Sequence, residues 1–254
     1  MPFDPRFAID VIYPAATSAY LIITVPAPPL PAGYTLVGAI QADPRQAVAA
    51  MALADPRLQR IVHSVLSESN IFGLVAWNEA DKTALIAFRG TLTIWDWIDD
   101  VDAVPVDYLA VPGSGHVHMG FQLVYEHVRY SVSQLLATGC KGAQRILVTG
   151  HSLGAAVAVL SGFEIAKTSG VIPELNTLAG PRTGARDFSG YFDTLIPVCY
   201  RVVNFMDVVP QVPLPPLYKH VGHEVLVYGG FKPLDVTYAH HLTTYLAGLQ
   251  KLLP

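Results

Sequence analysis

The residue types needed for acyl transfer occur together in this sequence: a serine set in a sharp turn, carboxylates after it, and histidines near the end. The serine stands in Leu147-Val148-Thr149-Gly150-His151-Ser152-Leu153-Gly154-Ala155-Ala156. An apolar, β-branched run breaks into Gly-His-Ser-Leu-Gly, and a small-residue helical pattern follows at once. This is the G-x-S-x-G nucleophile elbow in strand–turn–helix context. Such a turn strains the backbone of the serine and brings the residues two before and two after it into contact, so Gly150 and Gly154 remove side chains that would clash. The pattern predicts Ser152 exposed at the tip of the turn, at the positive end of the following helix.

A serine hydroxyl needs a base to take its proton and a carboxylate to orient that base. On elbow scaffolds they follow in the order Ser, Asp or Glu, His. Asp207 stands out because it comes three residues after a strand ending at Asn204, and catalytic groups in open parallel sheets gather beyond the carboxyl ends of strands. The plain alternative is an aspartate capping a loop. Asp235 lies too close in sequence to the histidines to approach from a separate strand end. His240 and His241 are adjacent, so at most one points at Ser152, while His220 and His223 flank a strand start and read as structural. Paired histidines also suit a metal, but no HxxE or CxxC accompanies them, so neither metal nor organic cofactor is expected. An oxyanion needs two donors. The Leu153 N–H supplies one. Arg89-Gly90-Thr91 offers the other, with a glycine for close approach and a threonine carrying both N–H and hydroxyl; a strand ending in an ordinary turn is the rival reading.

These groups need elements to position them. Residues 15–23 read as a helix, followed by a stiff connection at Pro26, Pro28, Pro29 and Pro31 and a strand over 34–40. Asp43-Pro44 and Asp55-Pro56 each set a capping aspartate before a proline, predicting short helices over about 44–53 and 56–66. Strands over 71–77 and 83–88 flank Asn78-Glu79-Ala80-Asp81 as a hairpin. A helix over 120–137, the elbow strand with its helix to about Lys167, strands over 174–178, 198–204 and 224–228, and a helix over 240–249 complete the series. Strands alternating with helices around an elbow predict an α/β-hydrolase fold, a mainly parallel, doubly wound sheet. No stretch near the middle reads as a linker, so residues 1–254 are expected to form one domain.

Hydrophobic residues make up 52% and charged residues 14% of the chain, enough for a large core and an apolar surface besides. The net charge of −4 gives no reason to expect nucleic acid. No apolar run reaches the ~18 residues of a membrane span. The start Met-Pro-Phe-Asp-Pro-Arg lacks a signal-peptide pattern, so cytoplasm is the default compartment, with secretion open if a leader was removed. Cys140 and Cys199 are expected as free thiols.

Taken together, the motifs resemble those of the class 3, or fungal-type, triacylglycerol lipases. Phe88-Arg89-Gly90-Thr91 is similar to that family's F-R-G-[ST] segment, Val117-His118-Met119-Gly120-Phe121 to its V-H-x-G-F, and Gly150-His151-Ser152-Leu153-Gly154 to its elbow. Ala179-Gly180-Pro181-Arg182-Thr183-Gly184 resembles F-G-x-P-R-x-G, with Ala179 replacing the aromatic residue. Asn204-Phe205-Met206-Asp207-Val208-Val209-Pro210 resembles N-x-x-D-x-V-P, and His240-His241-Leu242-Thr243-Thr244-Tyr245 resembles H-x-L-x-x-Y. The match runs in family order over about residues 70–250.

The resemblance implies Ser152 as nucleophile, Asp207 as orienting acid, and Thr91 and Leu153 as oxyanion donors. It implies His240 as base by the H-x-L-x-x-Y spacing, or His241 by the shorter spacing of members with His directly before Leu. It also implies a lid after the oxyanion residue, here residues 93–100 with Trp95 and Trp97, a short amphipathic turn suited to an oil–water boundary; the rival is a helix packing both indoles into the core. The multiple cysteines of secreted fungal members are missing. The implied activity is hydrolysis of acylglycerols or other apolar carboxylic esters, with a short-chain esterase or a phospholipase as the near alternative. A non-catalytic binding module on the same scaffold is the remote one.

Overall fold

In chain order the strands are β1 (Thr35–Gln41), β2 (Ile71–Asn78), β3 (Thr83–Phe88), β4 (Pro105–Asp107), β5 (His116–His118), β6 (Arg145–His151), β7 (Glu174–Leu178), β8 (Gly184–Ala185), β9 (Cys199–Asn204), β10 (Tyr218–Lys219) and β11 (His223–Val227). The helices are α1 (residues 5–21), α2 (Pro56–Glu68), α3 (Met119–Gly139), α4 (Leu153–Thr168), α5 (Arg186–Leu195) and α6 (Leu242–Gln250). The computed structural model describes residues 2–43, 45, 56–91, 104–230, 232, 235 and 237–254, and only the backbone of residues 57, 58 and 61.

β3 is buried along its whole length and β6 along nearly all of it, as continuous apolar runs require when both faces are covered. Ala84, Ile86, Phe88, Ile146 and Val148 point to one face, Leu85, Ala87 and Leu147 to the other, the period-2 alternation of a strand. Among the described residues seven strands join in the order β1-β2-β3-β6-β7-β9-β11. β1, β2 and β3 are antiparallel, and β3, β6, β7, β9 and β11 are parallel. Phe121 and Val124 of α3, Ala156 and Leu160 of α4, and Phe188 and Phe192 of α5 pack in the core on one face. Ala8, Ile12 and Ala16 of α1 with Tyr245 and Leu249 of α6 pack on the other. The sheet is therefore doubly wound, as expected.

The hairpin closes where predicted, with Asn78 Oδ1 accepting the Ala80 and Asp81 N–H groups. α1 starts at Pro5 rather than near residue 15, because the Asp4 carboxylate caps it by accepting the Arg6 and Phe7 N–H groups. Pro14 has no N–H to continue an α-ladder; the helix is π-wound over Ala8–Ile12, with the Tyr13 N–H bonded to the Ala8 carbonyl. A second sheet, β10-β8-β5-β4, and helix α5 were not anticipated. Strands of two or three residues are too short for alternation to register. The helix expected over 44–53, residue 45 apart, and the lid candidates Trp95 and Trp97 lie outside the described residues. Cys140 and Cys199 are buried and unbridged. Among the described residues no helix is long and apolar enough to cross a membrane.

Candidate active site

β6 ends at His151 and α4 begins at Leu153, so Ser152 alone makes the turn, at φ 60° and ψ −128°. This is a costly backbone for a residue with a Cβ. The turn is held by the Ser152 N–H donating to the Leu178 carbonyl (3.0 Å) and by Ala155 N–H donating to the Ser152 carbonyl (2.9 Å). A Cβ on Gly150 would lie 2.1 Å from the Gly154 carbonyl oxygen, and one on Gly154 would lie 2.4 Å from that of Arg89. Both glycines are therefore obligatory, for the crowding the motif predicts. Ser152 is not exposed as expected: its relative accessibility is 1%. The cause lies in the segment after β3, since a Cβ on Gly90 would lie 2.9 Å from the Ser152 Cβ.

Asp207 and His240 meet. His240 Nδ1 lies 2.7 Å from Asp207 Oδ2, which also accepts the Tyr245 hydroxyl at 2.6 Å, while Oδ1 accepts the Val209 N–H at 3.0 Å. Asn204, at the end of β9, donates its side-chain amide to the Ala239 carbonyl and accepts the Gly229 N–H. It ties the strand that delivers Asp207 to the 3-10 turn Tyr238–His240 that delivers the histidine. The N-x-x-D and H-x-L-x-x-Y spacings thus follow from contacts between the two segments. His240 is 7% exposed, whereas His241 faces solvent and its Nε2 lies 3.3 Å from the Thr237 hydroxyl. Ser152 Oγ and His240 Nε2 are both buried and without a hydrogen-bond partner among the described residues. Serine and base in unliganded sites often tighten only when substrate binds.

Thr91 stands three residues past the end of β3 and is 6% exposed; Leu153 occupies the first position of α4, where helix N–H groups have no intrahelical acceptor. A residue outside all the motifs joins the two segments. The Tyr20 hydroxyl of α1 accepts the Gly90 N–H (2.9 Å) and lies 2.8 Å from His151 Nδ1. His151 Nε2 lies 2.9 Å from the His240 carbonyl oxygen, which can only accept, so Nε2 carries the proton and Nδ1 accepts from Tyr20. Burial, reinforced by the neighbouring His240, drives the His151 pKa well below 6.5 and keeps the ring neutral. Tyr20, Thr91, His151 and His240 line a cleft of about 570 Å³. An equally large groove around Val132, Leu136 and Ile165 contains none of these groups.

Tyr20→Phe removes the acceptor of one buried N–H and the donor to one buried ring nitrogen. Each group left unpaired costs ~1–3 kcal/mol. The expected result is a lowered melting temperature together with a ~10-fold fall in turnover, read by thermal denaturation and ester hydrolysis on the same preparation. A variant with unchanged turnover would remove Tyr20 from the site.

Buried neutral histidines also make stability depend on pH. Burial pushes the His118 pKa down to about 3, and His151 is depressed as well. The unfolded imidazoles protonate near 6.5 while the folded ones stay neutral, so stability is fully present above ~6.5 and falls as pH drops toward 3. The slope contributed is up to ~1.4 kcal/mol per pH unit for each group. The urea midpoint should decline from pH 7 to 4.5, and His118→Asn, whose amide oxygen can still accept the Gly120 N–H that His118 Nδ1 accepts, should flatten the decline.

Sequence reasoning brought Ser152, Asp207, His240, Thr91 and Leu153 to notice, and left Tyr20, Asn204 and Tyr245 without roles. For Asn204 and Tyr245 the signal was present, because they stand in the N-x-x-D-x-V-P and H-x-L-x-x-Y segments. Tyr20 had none, since its partner His151 is 131 residues away. Among the described residues no group of three or more His, Cys, Asp or Glu side chains is placed to hold a metal.

The family model described as Lipase (class 3) matches residues 85–216. A lipase of Rhizomucor miehei is 35% identical over 159 residues, covering 59% of this chain and 43% of its own length. Phospholipase A1-II 3 of Oryza sativa subsp. indica is 33% identical over 184 residues, covering 60% and 44%. The solved Rhizomucor miehei triacylglyceride lipase superposes with a TM-score of 0.55 at 33% identity, over 61% of this chain and 60% of that one. This chain spans a little under half the length of these two curated relatives.

Proposed function

Since the chain belongs to the class 3 lipase family and has its α/β-hydrolase fold, we propose that it is a serine carboxylester hydrolase acting on lipid esters. The observation that carries the reading is the Asp207–His240–Tyr245 constellation set beside a strained serine at a helix start. In this mechanism Ser152 Oγ attacks the ester carbonyl as His240 Nε2 takes its proton, and Asp207 at Nδ1 stabilises the imidazolium. The oxyanion forms against the Leu153 and Thr91 N–H groups. His240 returns the proton to the leaving alcohol, and water, deprotonated by the same nitrogen, releases the acid from Ser152.

A lipid–water boundary is the proposed setting. Phe205 and Val208, on either side of Asp207 in the segment after β9, are 64% and 48% exposed, and exposed apolar side chains suit that surface. Phospholipid is the second substrate reading, favoured by the likeness to the rice phospholipase A1. Hydrolysis rates over p-nitrophenyl esters of rising chain length, beside emulsified triglyceride and phosphatidylcholine vesicles, test both. Long-chain preference with triglyceride turnover is expected. Turnover of vesicles alone selects the phospholipase, and no turnover of any ester overturns the proposal.

A further inference from the structure

α2 ends in Glu68, a side chain 15% exposed that reaches into the segment after β3. One carboxylate oxygen accepts the Thr91 hydroxyl at 2.5 Å, and the other pairs with Arg89 Nη1 at 3.1 Å. The Arg89 guanidinium, only 2% exposed, donates in addition to the carbonyls of Ile71, Gly90 and Ser69, and it lies 4.6 Å from the centre of the Phe72 ring. Carboxylate, guanidinium and segment 89–91 are thus fastened as one unit.

A hydroxyl has a single proton to donate. While Glu68 takes it, Thr91 can offer an oxyanion its backbone N–H but not its side chain. A bare carboxylate at this distance would also oppose the developing negative charge, and Arg89, locked to the same carboxylate, offsets it. The contact therefore anchors the loop without costing the hole its polarity.

We propose that Glu68 is a positioning residue of the oxyanion hole, holding Thr91 by its hydroxyl so that the backbone N–H, and not the side chain, faces the reacting carbonyl. This rests on the ester-hydrolase reading of Ser152. The arginine in F-R-G-T then has a purpose in the site: it neutralises and fixes the anchor.

The experiment is a set of single and paired substitutions assayed on a soluble p-nitrophenyl ester, with melting temperatures measured throughout. Glu68→Ala and Thr91→Val should each lower kcat ~10- to 100-fold with KM within ~2-fold of wild type. The double variant should be no worse than the poorer single one, because both cut the same tie. Glu68→Gln, whose amide oxygen can still accept the hydroxyl, should recover most of the kcat lost in Glu68→Ala. Glu68→Asp keeps the charge but shortens the reach, and should not recover it. Multiplicative losses in the double variant overturn the positioning role, as does a Glu68→Gln enzyme as slow as Glu68→Ala. A wild-type protein without Ser152-dependent turnover overturns the hydrolase reading and this inference with it.

Discussion

Ser152→Ala should lower kcat by at least ~10⁴-fold while leaving the fold intact or slightly more stable. The kinetic half follows from losing the covalent route while the backbone donors remain, which preserves a residual rate over water. The stability half follows from the environment of the side chain. Ser152 Oγ is buried with no hydrogen-bond partner among the described residues, and removing an unpaired buried hydroxyl relieves a desolvation cost of ~1 kcal/mol or more. Alanine bears the same φ of 60° at the same strain, so the turn is unaffected. Turnover and melting temperature should therefore move in opposite directions. A phosphonate adduct mapped by mass spectrometry should fall on Ser152, and retention of more than a tenth of wild-type activity would show that the nucleophile is elsewhere.

His240 and His241 should behave oppositely although they are neighbours. His240→Ala is expected to cost ~10⁴-fold in kcat, whereas His241→Ala should keep most of the activity. The 3-10 turn ending at His240 sends the first ring inward to Asp207 and the second out to solvent. The inward substitution also strips a buried carboxylate of its ring partner, leaving it the Tyr245 hydroxyl and the Val209 N–H. The melting temperature should fall accordingly, because a buried charge that loses a partner is destabilising. Paired assays of kcat and melting temperature on the two variants decide the matter. Reversed kinetics would make His241 the base and would mean that the turn rearranges when substrate binds.

The parallel strands and the elbow could be read from sequence because their burial on both faces writes a continuous apolar run, and because two glycines must flank the serine. The four short strands of the second sheet could not, since two or three residues carry no period. The early start of α1 was hidden by Pro14, which reads as a break until a π-wound segment is allowed for. In the site the visible residues are those in compact motifs, such as Asp207 three positions after Asn204. Tyr20 and Glu68 are different in kind. Their partners Gly90 and Thr91 lie 70 and 23 positions away, and nothing local distinguishes a tyrosine in a helix or a glutamate at a helix end. The expectation that Ser152 would be exposed failed for a related reason, because the segment that covers it follows another strand, β3.

The bonds through Tyr20 and His151 have a consequence for the order of events on the way to the native state. They join residue 20 to 151 and 151 to 240, separations of 131 and 89 positions. Bringing such distant segments together carries the full loop-closure cost before any contact rewards it. Local structure, such as the β2–β3 hairpin, can form early, but the site has no early version of itself. During refolding, helical signal should return before hydrolytic competence, and competence should return in a single late step when the first helix and the last turn dock on the same ring.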